Sequence, residues 1–320
     1  MILTDLFQLP PNIGWQYAAQ MGIRHGVVRL PEEESFDLAN AAHWKDMCHI
    51  YEQHGIKPLL IEPMPNRVHE HIKRGDEKRD ESIEQVISFL PIMASLGITT
   101  ICMNFMAYTG WFRSRSAIPW RGGALVTGFE KSDVPDTTPL LITKDELWKN
   151  LTYFLKAVVP YAEKYGVRLA LHPDDPPVER LGNVERILTS RENVDKALSL
   201  VPSDAVGVTL CQGCYAAMGE DVYDTIRHFC SENKTFFVHF RDVKGSKNSF
   251  CETFHDDGPT NMAKALTIYR EYGYHGPVRV DHVPTMAGED NNLPGYANVG
   301  RLYAVGYLKG MLDALGYPYQ

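Results

Sequence analysis

The sequence predicts a (β/α)8 barrel, the TIM fold, and three observations point to it. Eight short β-rich apolar runs recur along the 320 residues, helix-length segments separate them, and metal-capable side chains close four successive runs. Strict β/α alternation calls for parallel strands with right-handed crossovers, and eight such units close into a barrel. Barrels run to about 250 residues before insertions, so one domain over 1–320 is expected, and no linker, internal repeat or low-complexity tract divides the chain.

The strands are expected at 2–5, 26–30, 58–62, 99–104, 168–172, 206–210, 236–239 and 278–281. Helices are expected near 11–21, 36–54, 81–96, 146–165, 184–199, 220–231, 260–272 and 296–315. The stretch YAEKYGVRLALHP holds the repeating unit in miniature. An amphipathic helix ends, Gly166 takes the left-handed position that stops it, and a nearly continuous apolar strand runs to a polar residue. A doubly wound open sheet would carry G-x-G-x-x-G after an early strand; none is present, which also argues against a nucleotide cofactor. The longest connection, about 105–145, carries Trp111, Phe112, Arg113, Arg115, Trp120 and Arg121, and is expected to act as a lid over the site or as an oligomer contact.

Composition narrows the function. Forty acidic residues against thirty-two basic ones give a net charge of -8, which disfavours a polyanionic partner, so no nucleic-acid role is expected. The first ten residues lack the basic start and long apolar core of a signal peptide, and no apolar run reaches about 18 residues; a cytoplasmic protein with no membrane segment is expected. Six cysteines are too few for a secreted disulfide framework. Cys211 and Cys214 form a C-x-x-C pair, but no second pair completes a zinc ribbon and the context is not that of a thioredoxin.

The strand ends carry the chemistry. His172, Cys211, His239 and Asp281 terminate four consecutive strands, and the carboxyl ends of barrel strands converge on one pocket. A single strand-end histidine is ordinarily a packed, hydrogen-bonded residue; four metal-capable residues in series point to a divalent metal. Two neutral imidazoles, a thiolate and a carboxylate cancel its charge and leave open positions for substrate. The thiolate favours Zn2+, Fe2+ or Mn2+ over Mg2+ or Ca2+. Arg113, Arg115 and Arg241 are candidates to clamp a substrate carboxylate, surface salt bridges being the alternative for each. His282 and Tyr296 offer an imidazole and a phenol for acid/base work, provided that the eighth strand has ended before His282. Asp174 and Asp175 suit a turn and the orientation of His172, and His255 in ETFHDDG is a candidate to contact substrate hydroxyls.

These residues sit in stretches that resemble the mannonate dehydratase family of xylose-isomerase-like barrels: VHEHIKRGDEKRD, CMNFM followed by W-F-R, LALHPDDPP, LCQGCYA, VHFRDVKGS, FCETFHDDG and VDHVPTMAGE with PGYA, over roughly 68–310. The resemblance implies dehydration of D-mannonate to 2-keto-3-deoxy-D-gluconate in hexuronate breakdown, with Mn2+ or Fe2+ as cofactor and a homo-oligomer, a dimer, as the assembly. It also implies that His172, Cys211, His239 and Asp281 ligate the metal and that His282 and Tyr296 are the acid/base pair. The chain departs from the family on the early strands, with Thr4 to Phe7 on the first and Leu30-Pro31-Glu32 after the second, so the sugar acid it takes is the open point. The rival within enzymes is a metal-dependent sugar isomerase or epimerase on the same barrel, which commonly places acidic ligands where this chain has His172 and Cys211. A non-enzymatic sugar-acid binding protein and a barrel endonuclease are disfavoured by the acid/base residues and by the net charge.

Overall fold

Eight parallel strands hydrogen-bond in sequence order and close on themselves in the computed structural model, which describes residues 1–320. They are Ile2–Phe7, His25–Val28, Lys57–Ile61, Thr100–Met103, Arg168–Leu171, Val206–Cys211, Thr235–Phe240 and Pro277–Val280. The first strand seals the barrel by pairing Ile2 with Pro277 and Thr4 with Arg279. All eight expected strands are present, with shifts of one to a few residues at their ends. The barrel interior holds Val27, Leu60, Cys102 and Phe237, and a larger apolar layer lies between the strands and the helices.

The connecting helices follow from local signals. Helix Lys144–Tyr165 begins with a capping box between Thr143 and Glu146, buries Leu147, Leu151, Phe154, Leu155 and Val158 along one face, and stops at Gly166, whose φ of 66° is costly for other residues. Each fully buried Leu or Val of this kind is worth roughly 1.5–3 kcal/mol. Helix Asn298–Ala314 closes the chain of βα units. No helix is long and apolar enough to cross a membrane.

Three expectations are corrected. The helix expected at 184–199 covers Arg191–Ser199, because Val184–Glu185 pairs with Arg180–Leu181 and Ser190 caps the helix by accepting from the Asn193 amide. Two further helices, Asn66–Arg74 and Gln212–Met218, stand where none was expected. The connection expected as a long loop contributes two strands, Arg115–Pro119 and Leu125–Glu130. These join Ser249–Glu252 and Val243–Ser246 in a four-stranded antiparallel sheet. Gly128 permits that pairing: a Cβ there would lie 2.6 Å from Ile118 and 2.7 Å from the Phe250 carbonyl.

Candidate active site

The ends of the fifth, sixth and seventh strands bring His172, Cys211 and His239 together, with one ligand atom from each within 4.8 Å of the others. His172 Nε2 and His239 Nδ1 face each other at 3.1 Å. The far nitrogen of each ring meets a fixed oxygen: His172 Nδ1 is 2.6 Å from the Pro173 carbonyl, and His239 Nε2 is 3.1 Å from Glu62 Oε1. Those acceptors place the ring protons on the outer nitrogens and turn two lone pairs toward one point, an arrangement that suits a cation. The Arg279 guanidinium also lies 3.1 Å from His239 Nε2; its carboxylate partners are Glu62 and Asp281.

Asp281 stands beside these three. Its Oδ2 lies 3.5 Å from His239 Nδ1 and accepts from Arg241 Nε at 2.9 Å. Its Oδ1 is buried without a well-aligned donor, although Arg279 Nη2 is 3.0 Å away off axis. In this network three guanidiniums (Arg113, Arg241, Arg279) face four carboxylates (Glu62, Asp175, Glu252, Asp281). Burial opposes a thiolate at Cys211, but the Cys214 thiol, Arg241 and His172 hold its pKa well below the ordinary thiol value. Burial likewise disfavours a charged His239, yet with protein charges alone Glu62 and Asp281 push its pKa up to about 9.

The second part of the site is an acid/base pair held from behind. The eighth strand stops at Val280, so Asp281 and His282 both turn to the pocket, as the role of His282 requires. Tyr296 arrives from the following loop through a backbone bridge with Val283 and stands with its hydroxyl 3.2 Å from His282 Nε2. His282 Nδ1 is 2.9 Å from Glu252 Oε1, which makes Nδ1 the protonated nitrogen and leaves Nε2 free. Burial, and then the Asp281 carboxylate, raise the Tyr296 pKa, so the phenol keeps its proton. Trp111 covers the pair, its ring 4.9 Å from that of His282 and 6.0 Å from that of Tyr296.

The arginines expected to clamp substrate lie elsewhere. Arg241 is buried and donates to Asp281, Glu252, Asp175 and the Cys214 sulfur; Gly213 makes room for it, since a Cβ there would sit 2.4 Å from Nη1. Arg113 forms a fork with Asp175 at 2.6 and 2.9 Å and reaches Glu252. Neither lines the cavity. Arg115 is exposed on the outer sheet, paired with Asp133, beside a separate groove. His255 is buried behind the site, where its Nε2 contacts the Phe240 carbonyl at 2.7 Å rather than the cavity. Asp174 accepts from the Ile187 and Leu188 amides and leaves His172 to Pro173.

A cavity of about 840 Å3 opens over these groups. His172, His239, Asp281, His282 and Tyr296 line one side, while Asp5, Gln8, Asn12, Arg29 and Asn66, from the first three strands and their loops, line the other. Three functional groups escape the sequence reading. Glu62 ends the third apolar run, so the same strand-end logic would find it; Arg279 lies inside the eighth strand, and Glu252 in an antiparallel strand that sequence alone does not announce.

A family model described as D-mannonate dehydratase (UxuA) matches residues 14–145 and 140–320. The chain belongs to the D-mannonate dehydratase family. Within it, Mannonate dehydratase 2 of Halalkalibacterium halodurans is 34% identical over 294 residues, 82% of this chain and 84% of that protein. The mannonate dehydratase of Streptococcus pneumoniae is 32% identical, covering 92% of this chain and 87% of its own. The crystal structure of the mannonate dehydratase from Streptococcus suis serotype 2 superposes with a TM-score of 0.89 at 29% identity, over 99% of this chain and 95% of that one. Beyond the family, a D-psicose 3-epimerase shares the barrel at a TM-score of 0.61 and 15% identity, covering 99% of this chain and all of its own; this is a likeness of fold alone.

Proposed function

We propose that this chain dehydrates a sugar acid, D-mannonate in the first instance, to 2-keto-3-deoxy-D-gluconate and water, with one Mn2+ or Fe2+ held by His172, Cys211, His239 and Asp281. The observation that carries the reading is the His282–Tyr296 pair, 3.2 Å apart, beside the cluster of His172, Cys211 and His239 and the Asp281 carboxylate.

A divalent cation at that donor set supplies electrostatic stabilisation for the charge that builds on the substrate carboxylate as C2 loses its proton. His282 is the base: Glu252 holds its Nδ1 proton, and Nε2 takes the C2 proton. Tyr296 is the acid: its retained phenolic proton goes to the C3 hydroxyl, the C3–O bond breaks and water leaves. The enol tautomerises to the 2-keto acid. The contact between His282 Nε2 and the Tyr296 oxygen lets the imidazolium return its proton to the phenolate and resets the pair. Trp111 keeps bulk water off the pair during transfer. In this mechanism Arg113 and Arg241 fix Glu252, Asp175 and Asp281, and carboxylate recognition would fall to the far side of the cavity and to a cation held by the donor set.

Incubation of the Mn2+- or Fe2+-loaded protein with a panel of C6 and C5 aldonates, read by mass and by detection of 2-keto-3-deoxy acids, tests this directly. Loss of water from D-mannonate, abolished by Cys211→Ser and by His282→Ala, is the expected result. A product of unchanged mass would move the assignment to an isomerase or epimerase. A homodimer belongs to the same proposal, and light scattering on the eluted protein tests it.

A further inference from the structure

We propose that the preferred substrate carries a second anionic group, a carboxylate or a phosphate, at the end far from its reacting carboxylate, and that Arg29 binds it. The proposal rests on the sugar-acid reading above and names the class of acid. Arg29 belongs to the tier of the barrel that carries the site. Val27, Leu60, Cys102 and Phe237 form one layer inside the barrel, and side chains on a strand return to the same face every second residue. Two positions further along the same strands stand Arg29, Glu62, Asn104 and His239, and all four line the cavity. The Arg29 backbone is still held by the sheet, its amide donating to the Phe7 carbonyl at 2.9 Å.

Charge singles out Arg29 on that wall. Each carboxylate of the cavity already has its arginine: Asp5 pairs with Arg301, Glu62 and Asp281 with Arg279, and Asp175 with Arg113 and Arg241. Arg29 lines the same cavity, is exposed, and has no carboxylate within ion-pair distance of its guanidinium. A planar fork of N–H donors matches the paired oxygens of a carboxylate or a phosphate, whereas a sugar hydroxyl needs no cation. Position decides which end of the substrate it meets. The strands close in sequence order, so the second lies opposite the sixth, and His172, Cys211 and His239 end the fifth, sixth and seventh. Strands about 4.8 Å apart and tilted by about 36° set opposite members of the barrel roughly 15 Å apart. An extended six-carbon chain and an arginine side chain together cover that span, and the cavity of about 840 Å3 has room for them. An acid with its first carboxylate at the His172–Cys211–His239 cluster thus presents its last carbon to Arg29. A hydroxymethyl group there leaves the guanidinium facing water; a carboxylate or phosphate pairs with it. Dehydration is the same for each acid: one water leaves from C2 and C3, and no bond at the far anion changes.

Three acids alike from C1 to C5 and different at C6 test this: D-mannonate, D-mannarate and 6-phospho-D-mannonate. D-mannarate is identical from either end, so it presents the same C2 and C3 in both orientations. Calorimetric titration of Mn2+-loaded His282→Ala protein, which lacks the proposed base, gives the dissociation constants, and kcat/KM is measured on the unsubstituted enzyme. D-mannarate or the phosphate should bind about tenfold more tightly than D-mannonate, and the tighter of the two identifies the anion. Arg29→Gln should abolish that preference, and Arg29→Lys should keep part of it. Equal binding of all three acids would overturn the proposal, as would a preference that survives Arg29→Gln. Water lost from D-mannonate without any preference for a dianion would leave the dehydratase reading standing and remove this one. A dianion bound more tightly through Arg29 with no turnover of any acid would do the reverse, and failure of all three to bind would remove both.

Discussion

The two sides of the pocket are built differently. On the side of the fifth to eighth strands most functional groups are buried, and Arg241 alone binds Asp281, Glu252, Asp175 and Cys214. On the side of the first three strands Gln8, Asn12, Arg29 and Asn66 are exposed at the cavity wall. Proton transfer and ion binding tolerate displacements of only about 0.5 Å. Recognition of hydroxyl groups tolerates looser, exchangeable side chains. The difference separates a fixed cluster, to which Glu62 at the end of the third strand also belongs, from a looser wall, and the departures at Thr4–Phe7 and Leu30–Glu32 fall on the looser side.

The largest effect expected from breaking this division is at His282. His282→Ala should lower kcat by about 10^3-fold with bound metal retained, as measured by turnover and metal analysis on one preparation. Glu252→Gln probes the support rather than the base. It removes a buried carboxylate from Arg113, Arg241 and His282, so urea unfolding should show a loss of about 3–5 kcal/mol, and kcat should fall more than KM.

Acid titration sharpens the same contrast. Burial works against both Glu62 and Asp175 as carboxylates, but Arg279 and His239 hold the first at about 2, and Arg113 and Arg241 hold the second at about 2. The unfolded chain takes up these protons first as pH falls. Stability from these groups is therefore complete above about pH 4.5 and is lost between there and about pH 2, a window that circular dichroism at fixed urea should reveal. The smallest effect belongs to the recognition side: Arg29→Gln should raise KM for the preferred acid by about tenfold with little change in kcat. Arg115→Ala, on the outer sheet, should leave both constants unchanged.

Much of this was legible in the sequence because barrel strands are apolar, short and regularly spaced, and because a strand end is where an isolated polar residue stands out. Helix Asn66–Arg74 escaped because His69 and Lys73 occupy its buried face, Lys73 reaching the Met106 carbonyl and Glu70, so apolar periodicity is broken. Helix Gln212–Met218 is a two-turn segment buried on most sides and has no polar face to mark it. The arginines misled for a related reason. An arginine near a site in sequence looks free for an anion, whereas Arg113 and Arg241 are consumed by Asp175 and Glu252, carboxylates 62 and 11 residues from them respectively in the chain. Long-range pairing of that kind leaves no local trace.

The antiparallel sheet above the barrel has a consequence for traffic. It joins the connections that follow the fourth and seventh strands, and Leu125 and Ser116 tie it to Thr285 and Asn291 beyond the eighth. Three loops stitched together in this way cannot swing aside as one flap. At the rim of the cavity Ile13 and Leu293 are 50% and 69% exposed beside Asn12. A sugar acid arriving there meets the exchangeable side chains first and the fixed ones last, so selection precedes chemistry along the path of entry.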